Sequence, residues 1–311
     1  MNDHDQRFKT LLHEFLAEFF EAFFPVWKAR FDFSSVEWLD KEAIADPPQG
    51  ERRYLDIVAR LRATEPIPTP FAAEAESWLA LLHIEIESAD SVKPLRSRMA
   101  DYYMLLRRRY GLPVLPIGLY LQVGLEGIGR DVYEESVYDL PLFRFEYLYV
   151  GLPGLPAEKY VRGDNPLAVA FSTLMNQSPE QRGRLAAEAL RRIQELPNSA
   201  WRRFLLGETV MAYLPLEGEQ RTEFERLLDT EPYREAKTME NTLLSHWREE
   251  FREEGRQEGH REALAIVLKQ RFGRLDPQVI QRLEALPLER VLELLEQALA
   301  AGSLQELGLM D

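Results

Sequence analysis

The chain has 311 residues, no cysteine and a formal net charge of −14 at pH 7. The missing thiols exclude disulfides, thiol catalysis and cysteine-ligated zinc, and a reducing cytoplasm is the simplest setting. The acidic total argues against a general nucleic-acid binder, whose affinity comes from neutralising phosphates, although it leaves room for a local basic surface. The apolar N-terminal stretch carries Glu14, Glu18 and Glu21, which a signal peptide or a membrane span lacks, so we expect no membrane partner.

The first half of the chain alternates between helical and strand patterns. Large apolar residues recur at three- and four-residue steps before Pro25, which predicts one long N-terminal helix. The predicted helices span residues 5–24 and 91–110, the predicted strands span 36–45, 54–61, 81–88, 112–122 and 138–151, and turn or loop compositions occupy 47–50, 65–75 and 124–129. This alternation predicts an α/β fold with a mixed β-sheet flanked by helices.

No strand pattern follows residue 165, and the remaining sequence predicts an all-α region. Helical patterns cover residues 166–175, 179–196, 199–214 and 217–228, then 240–274 as one long helix with a polar middle, and then two or three amphipathic helices within 263–308. We therefore predict a sheet core at residues 1–160, a helical extension packed on it at 161–239, and a long connector helix with a C-terminal helical domain at 240–311. The polar helix suggests an exposed connector or a surface for a partner.

Acidic side chains on two predicted strands form the candidate site. In the strand 81–88, His83, Glu85 and Glu87 point to one face and the apolar residues between them to the other. The earlier strand carries one acid, Asp56, within an apolar run. If these strands are neighbours, opposed side chains lie about 5 Å apart, which lets Asp56 and Glu85 share a divalent cation. The alternatives are edge-strand acids that face solvent and a histidine with a purely structural hydrogen bond.

Several segments, in their order and spacing, resemble one family over about half of the chain. They are HDQRFK at residues 4–9, DFSS at 32–35, LDKE at 39–42, RRYLD at 52–56, HIEIES at 83–88, the helix from Arg96 to Tyr103, and YGLPVLP at 110–116. This ordered set resembles the Rpn family of recombination-promoting nucleases and transposase-like proteins, within the PD-(D/E)XK nuclease superfamily. Residues 271–273 and 304–307 resemble a C-terminal domain of unknown function that often follows this nuclease in bacteria.

The resemblance implies a PD-(D/E)XK-like core and a Mg²⁺-dependent DNA endonuclease, with Mn²⁺ as a substitute, linked to DNA recombination or mobile elements. Asp56 matches the aspartate of the motif and Glu85 its second acid, so both are expected to bind the metal while water attacks the phosphodiester. Glu87 occupies the third position, which is lysine in the superfamily and commonly glutamine in the family. A glutamate cannot act as a cation, although it can ligate metal or serve as a base.

Positive charge near the candidate site comes from the segment and helix that follow it. Lys93 is the candidate for the missing catalytic cation, and its alternative is an exposed lysine at a helix start. Arg96, Arg98, Arg107 and Arg108 are candidates to contact phosphate oxygens of DNA. For Arg107 and Arg108 the alternative is a favourable charge at a helix C-terminus. Because no base-reading motif is present, we expect non-specific binding of double-stranded DNA.

Two other functions are compatible with the sequence. A catalytically weakened or inactive nuclease-fold protein would act as an interaction module, and the C-terminal helices would then assemble it with itself or with a partner. Glu87 and the negative total charge favour this alternative. The same acids would also serve an RNA-directed or toxin-like nuclease.

Overall fold

The computed structural model describes residues 3–39, 44–45, 52–53, 56–68, 77–87, 95–214, 216–243 and 288–298, together with single residues between 264 and 309. It divides into two compact units, Met1–Glu240 and Asn241–Asp311. Lys93, the turn at 47–50 and most of the long polar helix at 240–274 lie outside the described residues. The boundary near residue 160 stays a prediction. In the described part of the chain, no helix combines the length and the apolar character needed to cross a bilayer.

A six-stranded mixed sheet forms the centre of the first unit. The described strands of this unit, including the two short strands of a separate pair, are β1 Phe31–Trp38, β2 Ile44–Ala45, β3 Arg52–Arg53, β4 Ile57–Ile67, β5 Ser77–Glu87, β6 Val114–Tyr120, β7 Gly127–Val137 and β8 Leu140–Gly151. The sheet order is β1-β4-β5-β6-β8-β7, while β2 and β3 pair separately with each other. Strands β5, β6 and β8 are parallel, and the other neighbours are antiparallel. The mixed sheet predicted from the alternating patterns is therefore confirmed.

One face of this sheet collects the residues of the candidate site. We call it the α4 face because helix α4, Leu95–Tyr110, contacts it. Paired residues on neighbouring strands point to the same face, as Glu87 does with Tyr120 and Tyr147 with Asp131. Read from β4 towards β7, the α4 face includes Asp56, Val58, His83, Glu85, Glu87, Gly118, Tyr120, Tyr147, Tyr149 and Asp131.

Helix α4 packs on the sheet through an apolar stripe at three- and four-residue spacing. The buried members of the stripe are Leu95, Met99, Tyr102 and Leu106. Gly118 lets this helix approach closely, because a Cβ atom at that position would lie 3.0 Å from Leu95 Cδ2. The helix ends before Gly111, whose φ of +65° is left-handed and whose N–H donates to the carbonyl of Arg107. This is the helix ending that Gly111 predicts.

The single N-terminal helix predicted over residues 5–24 is wrong, because two helices occupy this stretch. They are α1, Asp3–Glu14, and α2, Leu16–Phe23, and a short α3, Pro25–Lys28, follows directly. The break lies at Phe15, which is fully buried and whose ring lies 4.1 Å from the Arg202 guanidinium carbon. Phe20 of α2 packs against Phe33 of β1 with ring centroids 5.0 Å apart. Tertiary packing thus overrides a continuous helical pattern.

A layer of short helices follows the sheet, as the composition after residue 165 predicts. The helices are α5 Ala157–Val161, α6 Pro166–Phe171, α7 Arg182–Glu195, α8 Ala200–Tyr213 and α9 Gly218–Leu228, with residues 234–243 also helical. Asn165 caps α6 by accepting a hydrogen bond from the N–H of Ala168. Its side-chain amide also donates to the carbonyl of Glu18, 2.9 Å away. This residue therefore joins the helical layer to α2.

Strand β7 is the longest described element that the sequence patterns missed. The turn predicted at 124–129 ends early, since β7 begins at Gly127 and pairs along its length with β8. β7 is an edge strand with many exposed side chains, so its apolar alternation is weak. Other predicted boundaries are also wrong. β1 spans Phe31–Trp38 instead of 36–45, and residues 44–45 pair with β3 in the separate sheet. β4 continues to Ile67 into the predicted loop, and β5 starts at Ser77 instead of residue 81.

The described residues of the second unit form a small apolar core. Its helix Leu288–Ala298 is amphipathic, with Val291, Leu294 and Ala298 buried and Glu293 exposed. The buried cluster comprises Leu264, Leu268, Val279, Leu283, Val291, Leu294, Ala298, Leu307 and Leu309. The all-α character of residues 240–311 stays a prediction.

Candidate functional site

Asp56 and Glu85 lie beside each other on the α4 face, and each is bonded to the other's strand. Asp56 immediately precedes β4, and its Oδ2 accepts a hydrogen bond of 2.8 Å from the N–H of Ile86. Glu85 in turn accepts a 3.2 Å hydrogen bond from the N–H of Asp56. The alternation of acidic and apolar residues on β5 places the Glu85 carboxylate on this face. The structure therefore brings together the two acids that the sequence singles out.

This proximity perturbs the ionisation of Asp56. Burial raises the pKa of its carboxyl group, and the negative charge of Glu85 raises it further, to about 6. The hydrogen bonds from Lys9 and from the backbone of Ile86 oppose this shift without cancelling it. A buried carboxylate whose ionisation is made costly by a neighbouring acid is a setting in which a bound cation is favourable.

Lys9 is a functional candidate that the sequence analysis did not single out. It lies on α1, only 3% of its surface is exposed, and its Nζ forms a 2.8 Å ion pair with Oδ1 of Asp56. Lysine is almost never so deeply buried without a partner of opposite charge. The HDQRFK segment contains Lys9, but a lysine on a helix carries no signal that it will reach a strand near residue 56.

His83 contacts the other acid of the pair. Its Nε2 lies 2.9 Å from Oε1 of Glu85, and its side chain is fully buried. The ring also makes an edge contact with Tyr102 of α4 at 5.6 Å. Nδ1 has no hydrogen-bond partner among the described residues. Since the carboxylate can only accept, Nε2 carries the hydrogen and the imidazole holds Glu85 in place.

Glu87 is held differently from Asp56 and Glu85. Arg98 of α4 forms a close ion pair with its Oε2, and both side chains are largely buried. The guanidinium therefore neutralises Glu87, the second acid of β5. Glu87 lies beside Tyr120 on the neighbouring strand β6, where burial raises the pKa of the phenol and the charges of Asp131 and Glu87 raise it further.

A second polar network lies at the β7 end of the α4 face. Asp131 accepts hydrogen bonds of 2.6 Å from both Arg96 and the hydroxyl of Tyr147. The hydroxyls of Tyr147 and Tyr120 lie 3.1 Å apart and extend the network across β8 to β6. Burial alone would raise the pKa of Asp131, but the hydrogen bonds from Arg96 and Tyr147 outweigh it and the net shift is downward.

The donor set at Asp56 and Glu85 suits a hard divalent cation. Both residues offer carboxylate oxygens, and Oε2 of Glu85 accepts no hydrogen bond from the part of the chain that the structure describes. Among the residues that the structure describes, no group of three or more acidic or histidine side chains is arranged to hold a metal. Magnesium needs no such group, because it commonly binds through one or two carboxylates and keeps several waters.

The basic residues predicted to bind DNA have different surroundings. Arg96 is bonded to Asp131 with about half of its side chain exposed, and Arg98 is bonded to Glu87. Arg107 and Arg108 lie in the last turn of α4, where Arg108 is exposed. Lys93 lies outside the described residues. Comparison of the chain with protein-family models, with curated proteins and with solved structures gives no match.

Proposed function

We propose that the protein is a Mg²⁺-dependent DNA endonuclease with a PD-(D/E)XK-like core. The observation that carries this proposal is the pairing of Asp56 and Glu85, whose carboxylates share one face and accept hydrogen bonds from the N–H groups of Ile86 and Asp56, respectively. Repulsion within such a pair favours a bound cation. The resemblance of the ordered segments supports the nuclease assignment and a role in DNA recombination or mobile elements.

The proposed roles follow from the contacts of each side chain. Asp56 and Glu85 bind the metal, while Lys9 and His83 hold these two carboxylates in position. When bound, Mg²⁺ supplies a lowered pKa for water and neutralises charge on the phosphodiester, and Mn²⁺ substitutes for it. Hydrolysis joins the water oxygen to phosphorus as one P–O ester bond breaks and the leaving oxygen takes up a proton.

Glu87 has a modified role in this proposal. Because Arg98 pairs with it, the third position of the motif contributes no net charge to the site. Arg107 and Arg108 remain the candidates for contacting the phosphates of double-stranded DNA without sequence preference, and the exposed part of Arg96 can join them. Lys93 stays a prediction for the catalytic cation.

Plasmid nicking in Mg²⁺ tests the proposal. We expect Asp56→Asn and Glu85→Gln each to lower the nicking rate at least about a hundredfold, since one ligand for the ion is lost. Glu134→Gln is the matched control, because this acid is an exposed strand residue paired with Arg144. Full activity of either site variant would show that the site is misassigned. Parallel digestion of RNA separates a DNA nuclease from an RNA-directed one.

A non-catalytic interaction module is the second candidate, and one observation favours it. The acids of the α4 face already have basic partners within the protein: Lys9 for Asp56, His83 for Glu85, Arg98 for Glu87 and Arg96 for Asp131. Such a layer needs no metal. Calorimetry without Mg²⁺ binding, together with a homo-oligomer that dissociates when the chain is cut after Glu240, would support this function over the nuclease.

A further inference from the structure

Lys9 brings a positive charge to the Asp56–Glu85 pair from a distant part of the sequence. Its ammonium is almost fully buried and lies 2.8 Å from Oδ1 of Asp56. Burying an ammonium group costs several kcal/mol unless it is well paired. An apolar residue on α1 would fill the same space without that cost. Stability therefore does not explain why a charged residue is buried at this position.

The charge balance of the site provides a reason. Asp56 and Glu85 together carry two negative charges when ionised, and Lys9 offsets one of them. A divalent cation added to this set leaves one net positive charge. The same cation added to the two acids alone leaves none. A phosphodiester group of a nucleic acid carries a single negative charge, so only the set that includes Lys9 attracts it electrostatically.

We propose that Lys9 is the cationic positioning residue of the Asp56–Glu85 site, and that it makes the metal-loaded site attractive to a phosphodiester anion. The proposal rests on the proposed nuclease function and places on α1 the charge that the sequence assigned to Lys93. Lys9 acts through Asp56: it fixes Oδ1 of that carboxylate, while the N–H of Ile86 fixes Oδ2.

This role predicts opposite effects on metal binding and on cleavage. Removing the ammonium leaves a more negative site, so Lys9→Met binds Mg²⁺ at least about tenfold more tightly. Without the net positive charge, the same variant nicks plasmid at least about tenfold more slowly. Lys9→Arg keeps the charge and stays near the wild type in both measurements. If the ion pair were only structural, the loss of Lys9 would weaken Mg²⁺ binding and slow cleavage together.

The experiment combines calorimetry with MgCl₂ and plasmid nicking on the full chain at pH 8. The matched control is Lys237→Met, which removes an exposed lysine–aspartate ion pair with Asp229 and leaves both quantities unchanged. Circular dichroism checks folding, and Lys9→Gln, which keeps a hydrogen-bond donor without the charge, replaces Lys9→Met if the latter fails to fold. The same opposite effects are expected for it.

The outcomes separate this inference from the function on which it rests. A wild-type protein that neither binds Mg²⁺ nor nicks DNA overturns both. If the wild type binds Mg²⁺ and nicks DNA, and a folded uncharged variant of Lys9 cleaves at the full rate, the role of Lys9 is overturned while the nuclease function stands. Weaker Mg²⁺ binding in the folded uncharged variants also overturns it, because their site would then have lost order and not charge.

Discussion

Two largely buried aspartates at opposite ends of the α4 face have pKa values that are shifted in opposite directions. Asp56, at the β4 end, has a pKa raised from the usual 3.8 to about 6, whereas the pKa of Asp131, at the β7 end, is lowered. Both side chains are largely shielded from solvent, Asp56 beside Lys9 of α1 and Asp131 beside Arg96 of α4. The difference lies in their neighbours: Asp56 faces another carboxylate, and Asp131 faces an arginine and a tyrosine hydroxyl.

This contrast separates a site suited to a ligand from a site suited to stability. Burial acts to raise the pKa at both positions, so the direction of this effect does not distinguish them. At Asp131 the donors of Arg96 and Tyr147 offset that cost within the protein. At Asp56 the donors offset only part of it because the charge of Glu85 remains nearby. An external cation can therefore stabilise an incompletely neutralised carboxylate at the β4 end, but not at the β7 end.

The largest expected effect is the pH dependence of stability at Asp56. A carboxyl group whose pKa is raised on folding binds more protons in the folded state, so its contribution to stability falls as pH rises. A rise from 3.8 to about 6 corresponds to about 3 kcal/mol. Relative to Asp56→Asn, the wild type should lose about this much unfolding free energy between pH 3, below the unfolded pKa, and pH 7 in metal-free buffer.

Urea unfolding of both proteins across this pH range measures the effect. Asp139→Asn is the control, since Asp139 is an exposed residue between β7 and β8. Saturating Mg²⁺ should reduce the loss above pH 6, because a bound cation favours the ionised carboxylate. A constant difference between the wild type and Asp56→Asn from pH 3 to pH 7 would contradict the raised pKa of Asp56.

Asp131 should show the opposite pH dependence and a smaller effect. We expect Asp131→Ala to lower the free energy of unfolding by about 2 kcal/mol at pH 7, because Arg96 and Tyr147 lose a buried ionic acceptor. Since the pKa of Asp131 is lowered on folding, this contribution is present above about pH 4 and is lost as the pH falls further. Urea unfolding at pH 7 and pH 3 measures it, and an undiminished cost at pH 3 would contradict the assignment.

The sequence predicts the site residues at the β4 end of the α4 face better than those at the β7 end. The period-two alternation on β5 is strong because its apolar side chains are buried, and this alternation alone assigns Glu85 and Glu87 to one face of the strand. The β7 pattern is weak because an edge strand exposes much of its surface. Asp131 therefore resembles the exposed acids Glu134 and Glu135 that follow it in sequence.

Contacts between distant segments account for the remaining differences. The burial of Asp131 depends on the β7–β8 register that sets it opposite Tyr147 and on Arg96 from a helix far earlier in the chain. Lys9 likewise reaches Asp56 only because α1 packs near the start of β4. Neither contact leaves a local periodic signal. Local patterns therefore identify which acids share a strand face, but not which bases neutralise them.

Tyr147→Phe gives the smallest and most selective change at the β7 end. It removes one hydroxyl that donates to Asp131 while keeping the buried ring, so we expect a loss of about 1 kcal/mol in the free energy of unfolding. The pKa of Asp131 should move upward because one of the hydrogen bonds that lower it is gone. Asp56 should not respond, because neither Tyr147 nor Asp131 contributes to its shift.

The neighbouring residue Tyr149 offers a matched control for this substitution. It lies on the same strand face, but among the described residues its hydroxyl reaches only the carbonyl of Glu126 at 3.5 Å, which is too long for a strong hydrogen bond. Tyr149→Phe should therefore change the unfolding free energy by less than about 0.5 kcal/mol. NMR titration of the aspartate carboxyl groups follows both sites at once. Equal shifts at Asp56 and Asp131 in Tyr147→Phe would mean that the two ends of the face titrate as one network, and the contrast between them would fail.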